Sequence, residues 1–243
     1  MRLNRVYFDG TLVNRRHCDL TGSAANHVAR VLRLGSGDPL TLFDGRGGEY
    51  AGTIEASGKD RVRVALGEHS PVERESKLAL TLAQGIARAE RMDLIVQKAT
   101  ELGVARIVPI VAGRSVVRTD AKQAERKQHH WRSIAIAACE QCGRNRLPVI
   151  DAPLTLVAWL AARGGSDASL ILSPRAAQPL RDLSAAAQSI VLLIGPEGGL
   201  STDEEALALA GGFRAASLGP RILRTETAAI AALAALQTVA GDL

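Results

Sequence analysis

Apolar residues recur in different rhythms along the 243-residue chain, and the rhythm changes near residue 70. Between residues 38 and 68 they alternate with polar ones. Leu40, Leu42 and Phe43 precede Asp44-Gly45, Tyr50 to Ile54 follows Gly47-Gly48, and Arg61 to Leu66 sets charged against apolar positions after Gly58-Lys59-Asp60. Period-two alternation between glycine turns predicts short strands and a small β-barrel. Just before it, Val28, Val31, Leu32 and Leu34 fall at helical spacing and leave His27, Arg30 and Arg33 on one polar stripe. The stretch from His69 to Lys77 is polar, contains Pro71 and has no hydrophobic period, which makes it the best linker in the chain.

From Leu78 the pattern becomes strand and helix in turn. Leu78 to Ile86 reads as a strand. Ala89 to Leu102 reads as a helix with Met92, Ile95, Ala99 and Leu102 on one face and Gly103 as its stop. A strand over Arg106 to Val111 follows, then a long helix over Ala121 to Cys142 with Trp131, Ile134, Ala138 and Cys142 as its apolar stripe. Further elements fall at Leu154 to Ala162, Ser169 to Ser173, Leu180 to Ala187 and Ile190 to Ile194. Such alternation predicts an α/β fold with a parallel sheet covered on both faces.

The last fifty residues hold the densest signal. Ile190 to Ile194 is a continuous apolar run, as in a strand buried on both faces, and Gly195-Pro-Glu-Gly-Gly199 follows as a turn almost without side chains. Ser201 and Glu204 have capping-box spacing, so a helix starts there. Phe213 to Leu218 is a second strand, broken by Gly219-Pro220, and Arg221-Ile-Leu-Arg-Thr-Glu leads into an alanine-rich helix from about Glu226 to Ala240. Ligands of open α/β sheets bind outside the carboxyl ends of strands, so these two turns mark the expected site. Neither the P-loop pattern nor the dinucleotide fingerprint is present.

GPEGGLSTDE at 195–204 together with SLGPRILRTETA at 217–228 resembles the paired cofactor motifs of the SPOUT superfamily of RNA methyltransferases, and within it the RsmE-type family. QKATELGV at 97–104, GRSVVR at 113–118 and EQCGR at 140–144 extend the resemblance along nearly the whole chain; Cys142 departs from the serine or other small residue expected there. The resemblance implies a PUA-like β-barrel for docking RNA over 1–70, a linker over 71–77, and over 78–243 a SPOUT domain with a carboxyl-terminal trefoil knot. It implies methylation at N3 of a uridine in 16S ribosomal RNA of the small subunit, S-adenosylmethionine as cofactor, and a homodimer. By the same resemblance the cofactor-binding residues are Leu172 and Ser173, Gly195, Pro196, Glu197 and Gly198, and Leu218, Gly219 and Leu223. For the barrel, the residues alone do not separate a PUA-like from an OB-type fold.

Charge adds an RNA-binding expectation. Residues 71–150 carry 14 Lys and Arg against 8 Asp and Glu, and residues 1–37 hold six arginines, Arg2, Arg5, Arg15, Arg16, Arg30 and Arg33, against Asp9 and Asp19. Clustered arginine is the footprint of a nucleic-acid binder, with Arg5, His27, Arg30 and Arg33 as candidate contacts; an ordinary solvated surface is the alternative. Only 3% of residues are aromatic, which argues against binding by base stacking. No apolar run is long enough for a membrane span, and no signal-peptide pattern opens the chain. Three cysteines agree with a reducing compartment, so the expectation is a soluble cytoplasmic protein. Cys139 and Cys142, with His129 and His130 upstream, read as packing rather than as a zinc or redox site, and no metal is expected.

The chemistry narrows the catalytic candidates. Uridine N3 becomes nucleophilic as its proton leaves, and charge then spreads to the flanking carbonyl oxygens. Arg114, read as ending the strand that begins at Arg106, and Arg224 take the oxyanion or phosphate role; Glu226 or Glu197 takes the proton. Each has a structural alternative: Glu226 as a helix-dipole partner, Glu197 as an acceptor for its own turn, Arg114 as an ion-pair partner. Competing functions are a non-catalytic RNA-binding or ribosome-assembly protein, and an α/β enzyme acting on a free nucleotide.

Overall fold

The computed structural model describes residues 4–58, 60–114, 121–183 and 187–243. Arg2, Ser115 to Arg118 of the GRSVVR stretch, and residues 184–186 of the element expected at Leu180 to Ala187 lie outside the described residues. The chain divides into two compact units, Met1–Glu75 with Ile136–Leu147, and Ser76–Ala135 with Pro148–Leu243.

The first unit is built on β1 (Arg5–Tyr7), β2 (His17–Thr21), α1 (Gly22–Asn26), β3 (Pro39–Phe43), β4 (Glu49–Ser57) and β5 (Arg61–Ser70). Its sheet runs β1-β3-β4-β5-β2, antiparallel except for the β1–β3 pair. In β5 the alternation works as read: Val62 and Val64 are fully buried against Val6, Leu20, Leu42 and Ile54, while Arg61 and Arg63 face out. Two shifts of register bend β4 against β5, at Tyr50/Gly52 and Ile54/Ala56. The polar stripe expected at His27, Arg30 and Arg33 needs correction. Helical winding begins earlier, at Gly22, widens into a π-turn over His27–Leu32, and ends where Arg33 adopts the left-handed conformation, φ 59°. The wider turn breaks the 3.6-residue spacing, so Val28 is buried while Val31 is exposed.

Among the described residues of the second unit every strand pairing is parallel. The order is β12 (Arg214–Ala216), β10 (Ala168–Leu172), β11 (Ser189–Ile194), β6 (Ala79–Gly85), β7 (Arg106–Val111) and β8 (Val149–Ile150), with β9 (Leu154–Thr155) also on β7. Alternate residues of the central strands feed two cores. Leu80, Leu82, Ile190 and Leu192 pack on α2 (Ala89–Glu101) and α6 (Thr225–Ala240), whereas Ala83, Val108, Ile110 and Leu193 pack on α4 (Leu156–Ala162) and α5 (Thr202–Ala210). Strands covered on both faces explain why β11 is a continuous apolar run. Gly103, φ 77°, stops α2 as its spacing predicts, and Ser201 and Glu204 form the reciprocal capping box of α5. α3 (Ala121–Cys142) passes through Ala135 into the first unit's Ile136–Leu147 stretch.

Candidate active site

Three parallel neighbours, β12, β10 and β11, end side by side, and the site is made from the turns that leave them. After β10, the Ser173 N–H donates to the Ala216 carbonyl at 3.0 Å, which fastens this turn to the end of β12. After β11, Gly195 to Leu200 folds back on itself through Gly199 N–H to the Pro196 carbonyl at 2.8 Å, with Gly199 at φ 69°. After β12, Gly219 at φ 97° opens the loop to Arg224, the N-cap of α6. The turns and the start of α6 enclose a cavity of about 560 Å³. All nine residues expected to bind cofactor line it: Leu172 and Ser173, Gly195 to Gly198, and Leu218, Gly219 and Leu223.

The floor is held from beneath by residues that motif reading passed over. Thr225 donates its hydroxyl to the Gly195 carbonyl at 2.7 Å, and the fully buried Gln84 donates to Thr225 Oγ1 and to the Gly85 carbonyl, both at 2.9 Å. At Gly85 a Cβ would sit 2.4 Å from Pro196 Cδ, so β6 and the glycine turn approach as closely as backbone permits. Gly85 lies inside the strand read over Leu78 to Ile86, where a glycine signals close backbone approach.

Charged groups stand along one side. Glu197 Oε1 accepts from the Arg88 N–H at 2.9 Å and from Arg91 Nη1 at 3.2 Å. Burial acts to raise the Glu197 carboxyl, but the N–H groups of Arg88 and of Glu197 itself, with the charges of Arg91 and Arg88, outweigh it and hold the group below its ordinary value. Glu226 Oε1 lies 3.8 Å from Arg91 Nε, and its Oε2 is buried without a hydrogen-bond partner. Arg91, which lines the cavity, was not singled out from the sequence. Its signal was a cation in the first turn of a helix, where the dipole favours carboxylates. Arg114 does not end its strand; β7 stops at Val111, and Arg114 Nη1 reaches the carbonyls of Gly198 at 3.2 Å and Leu200 at 3.3 Å. It does not line the cavity, whereas Arg221 and Arg224 do, both exposed and without an ion pair among the described residues.

The four candidate RNA contacts belong to the first unit and differ in placement. Arg30 and Arg33 are exposed. His27 is 30% exposed, with Nε2 3.9 Å from Glu140 Oε2. Arg5 is only 3% exposed; it is paired with Glu49, bonded to Asn145 Oδ1 at 2.6 Å and set over the Phe43 ring, so it faces the interior and offers no surface to RNA. Cys139 is fully buried, and its hydrogen bond with Cys142, then burial, raise its pKa well above the thiol range. No cluster of three or more metal-ligating side chains occurs among the described residues, and none of the helices described is long and apolar enough to cross a membrane.

Comparison with known proteins places this arrangement in a family. Residues 74–237 match the model of an RNA methyltransferase domain, and residues 20–66 match that of an RNA methyltransferase PUA domain. The chain is 33% identical to the ribosomal RNA small subunit methyltransferase E of Buchnera aphidicola subsp. Schizaphis graminum, covering 100% of this chain and 98% of that protein. Identity to the Bacillus subtilis protein of the same name is 32%, over 89% and 88%. Among solved structures, the Neisseria gonorrhoeae ribosomal RNA small subunit methyltransferase E bound to S-adenosylmethionine superposes with a TM-score of 0.91 at 36% identity, covering 99% of both chains. A Legionella pneumophila protein with the same cofactor bound gives 0.95 at 42%, covering 100% of both. With its parallel α/β sheet, its PUA domain and its full-length similarity, the chain belongs to the ribosomal RNA small subunit methyltransferase E family of RNA methyltransferases.

Proposed function

We infer that this chain transfers a methyl group from S-adenosylmethionine to N3 of a uridine in 16S ribosomal RNA of the small subunit. The cavity walled by the GPEGG and LGPRILR turns, in a chain similar over its full length to rRNA methyltransferases, carries the reading. Its volume, about 560 Å³, lies within the range of small-molecule sites, about 300–1,000 Å³. Leu172, Leu218 and Leu223 supply apolar walls for an adenine, and the glycine turn brings main-chain groups within reach of polar edges. When bound, the cofactor supplies an electrophilic methyl group on a sulfonium, so the leaving group is built in.

What the chain must add is position and a place for the N3 proton. Glu197 is already committed to Arg88 and Arg91, and its lowered pKa makes it a weak base. Glu226, next in sequence to the cavity residue Thr225, retains a buried oxygen without a partner, so the proton is assigned to Glu226 Oε2. Arg224, unpaired at the lip, faces the charge developing on the uracil oxygens or the adjoining phosphate. Arg114 steadies the glycine turn through two carbonyls. RNA meets the first unit at His27, Arg30 and Arg33, whose side chains reach solvent.

The reading extends to a carboxyl-terminal trefoil knot of the SPOUT type. In support, Leu180 N–H bonds the Ser217 carbonyl and Ser217 N–H bonds the Gln178 carbonyl, each at 2.9 Å, so the β10–β11 connection lies across the exit of β12. The α6 helix that follows packs on the same connection at Leu180–Leu183. The PUA-like domain over 1–70, the knotted methyltransferase domain over 78–243 and the homodimer follow from the resemblance, the linker over 71–77 from its polar composition without a hydrophobic period, and the cytoplasmic setting from the cysteine usage.

The test is mass spectrometry of 16S rRNA from methylation-deficient small subunits incubated with protein and cofactor, beside calorimetry with S-adenosylmethionine on the wild type and on Gly195→Arg. A new N3-methyluridine, with saturable binding that the substitution abolishes, supports the reading. A well-folded protein that binds RNA but not cofactor is instead an RNA-binding module, and turnover of free nucleotide alone points to the third class.

A further inference from the structure

Two cations at the start of α2 run against helix electrostatics, beside one acidic residue, Glu90, that runs with them. Arg88 is its N-cap and Arg91 lies in its first turn, where the dipole disfavours cations. A residue set against its local preference is a sign of a tertiary purpose. For Arg91 that purpose is visible. Its Nη1 is 3.2 Å from Glu197 Oε1, in the turn after β11, and its Nε is 3.8 Å from Glu226 Oε1, in the first turn of α6. One planar guanidinium thus spans two carboxylates, one in the turn after β11 and one at the start of α6; Arg91 and Glu197 line the cavity, and Glu226 follows Thr225, which lines it. Other charged groups at this end are Arg88, whose N–H also bonds Glu197, and Arg224, two residues before Glu226.

The two carboxylates are left in different states. Both contacts to Glu197 fall on its Oε1, so this side chain ties the glycine turn to α2. Glu226 is only 12% exposed, and Arg91 engages Oε1 while Oε2 is buried with no partner. A buried acceptor left open costs stability unless a ligand supplies the donor. Resting on the methyltransferase reading above, we propose that Arg91 is a positioning residue for methyl transfer: its guanidinium holds Glu226 on the Oε1 side and leaves Oε2 as the acceptor without a donor of its own. It acts through Glu226 and is not a holder of the cofactor.

The experiment uses the full-length protein with small-subunit RNA, and measures kcat at saturating cofactor, cofactor Kd by calorimetry and melting temperature. The variants are Arg91→Ala, Arg91→Lys, Glu226→Gln and the double variant Arg91→Ala/Glu226→Gln. Arg91→Ala is expected to lose about tenfold or more in kcat while its cofactor Kd moves less than about threefold. Arg91→Lys recovers most of the rate, and the double variant is no slower than Glu226→Gln alone, because the two residues act as one unit. A structural role only, or a cofactor-holding one, predicts the reverse: Kd rises about tenfold while kcat at saturation is unchanged. That result, or losses that multiply in the double variant, overturns the proposal. Should Arg91→Ala fail to fold, Arg91→Gln takes its place in the same comparisons. An active wild type with an unaffected Arg91→Ala overturns this inference alone; an inactive wild type overturns the methyltransferase reading and this inference with it.

Discussion

The Thr225 hydroxyl donates to the Gly195 carbonyl at 2.7 Å, and its oxygen accepts from the Gln84 amide at 2.9 Å. Through this one side chain the last helix, the glycine turn and strand β6 are joined beneath the cavity. Thr225→Val keeps the shape and removes both bonds. We expect it to lower stability by about 1–3 kcal/mol, the cost of buried groups left unpaired, and to weaken cofactor binding. Thr225→Ser should recover most of both. Urea midpoints and calorimetry on the two variants check this.

Gly85 makes the same junction by having no side chain. In Gly85→Ala the new Cβ would meet Pro196 Cδ and N at 2.4 Å, both part of the turn's rigid backbone and ring. The turn must move, at a cost of about 1–3 kcal/mol, as in other overpacked sites. We expect cofactor affinity to fall more than stability predicts, measured by calorimetry on protein shown to be folded.

Glu197 gives the site an acid limit. Its carboxyl titrates below its ordinary value in the folded chain. A carboxylate so depressed contributes stability that is complete above its unfolded value, about 4.3, and is lost as pH falls through the lower folded value. The melting temperature should therefore fall on acidification below about pH 4.3, and fall less steeply in Glu197→Gln. An identical slope in both proteins would remove Glu197 from the account.

Arg5 and Arg33 should separate cleanly. Arg5→Ala leaves the largely buried Glu49 without its main partner and is expected to cost about 3 kcal/mol or more, as for other broken buried pairs. Arg33→Ala, at an exposed position, should leave stability within about 0.5 kcal/mol and weaken RNA binding. Denaturant melts and filter binding distinguish the two.

Arg224→Ala tests the cavity lip. Turnover on ribosomal RNA should fall about tenfold or more with cofactor Kd unchanged, since the role proposed for Arg224 is toward the RNA. Turnover equal to wild type would overturn its role.

By itself the sequence determined the elements and the place of the site. Period-two and helical spacings are local, so β7 and α3 fall where they were read, and the glycine turns marked the strand ends that line the cavity. The two motifs also carried the family. Other features were set by residues distant in sequence. β1 has three residues and β2 five, so even the regular alternation of His17 to Thr21 is too short a run to stand out, and both strands take their places at the edges that β3 and β5 offer. The π-turn at His27–Leu32 overrode a 3.6-residue pattern that local spacing supports equally well. Arg5 reads as a surface cation until Glu49 and Asn145 close on it. Arg91 and Thr225 belong to elements whose periodicity says nothing of partners about 110–140 positions away, which only a parallel sheet with its turns gathered at one end can bring to the same cavity.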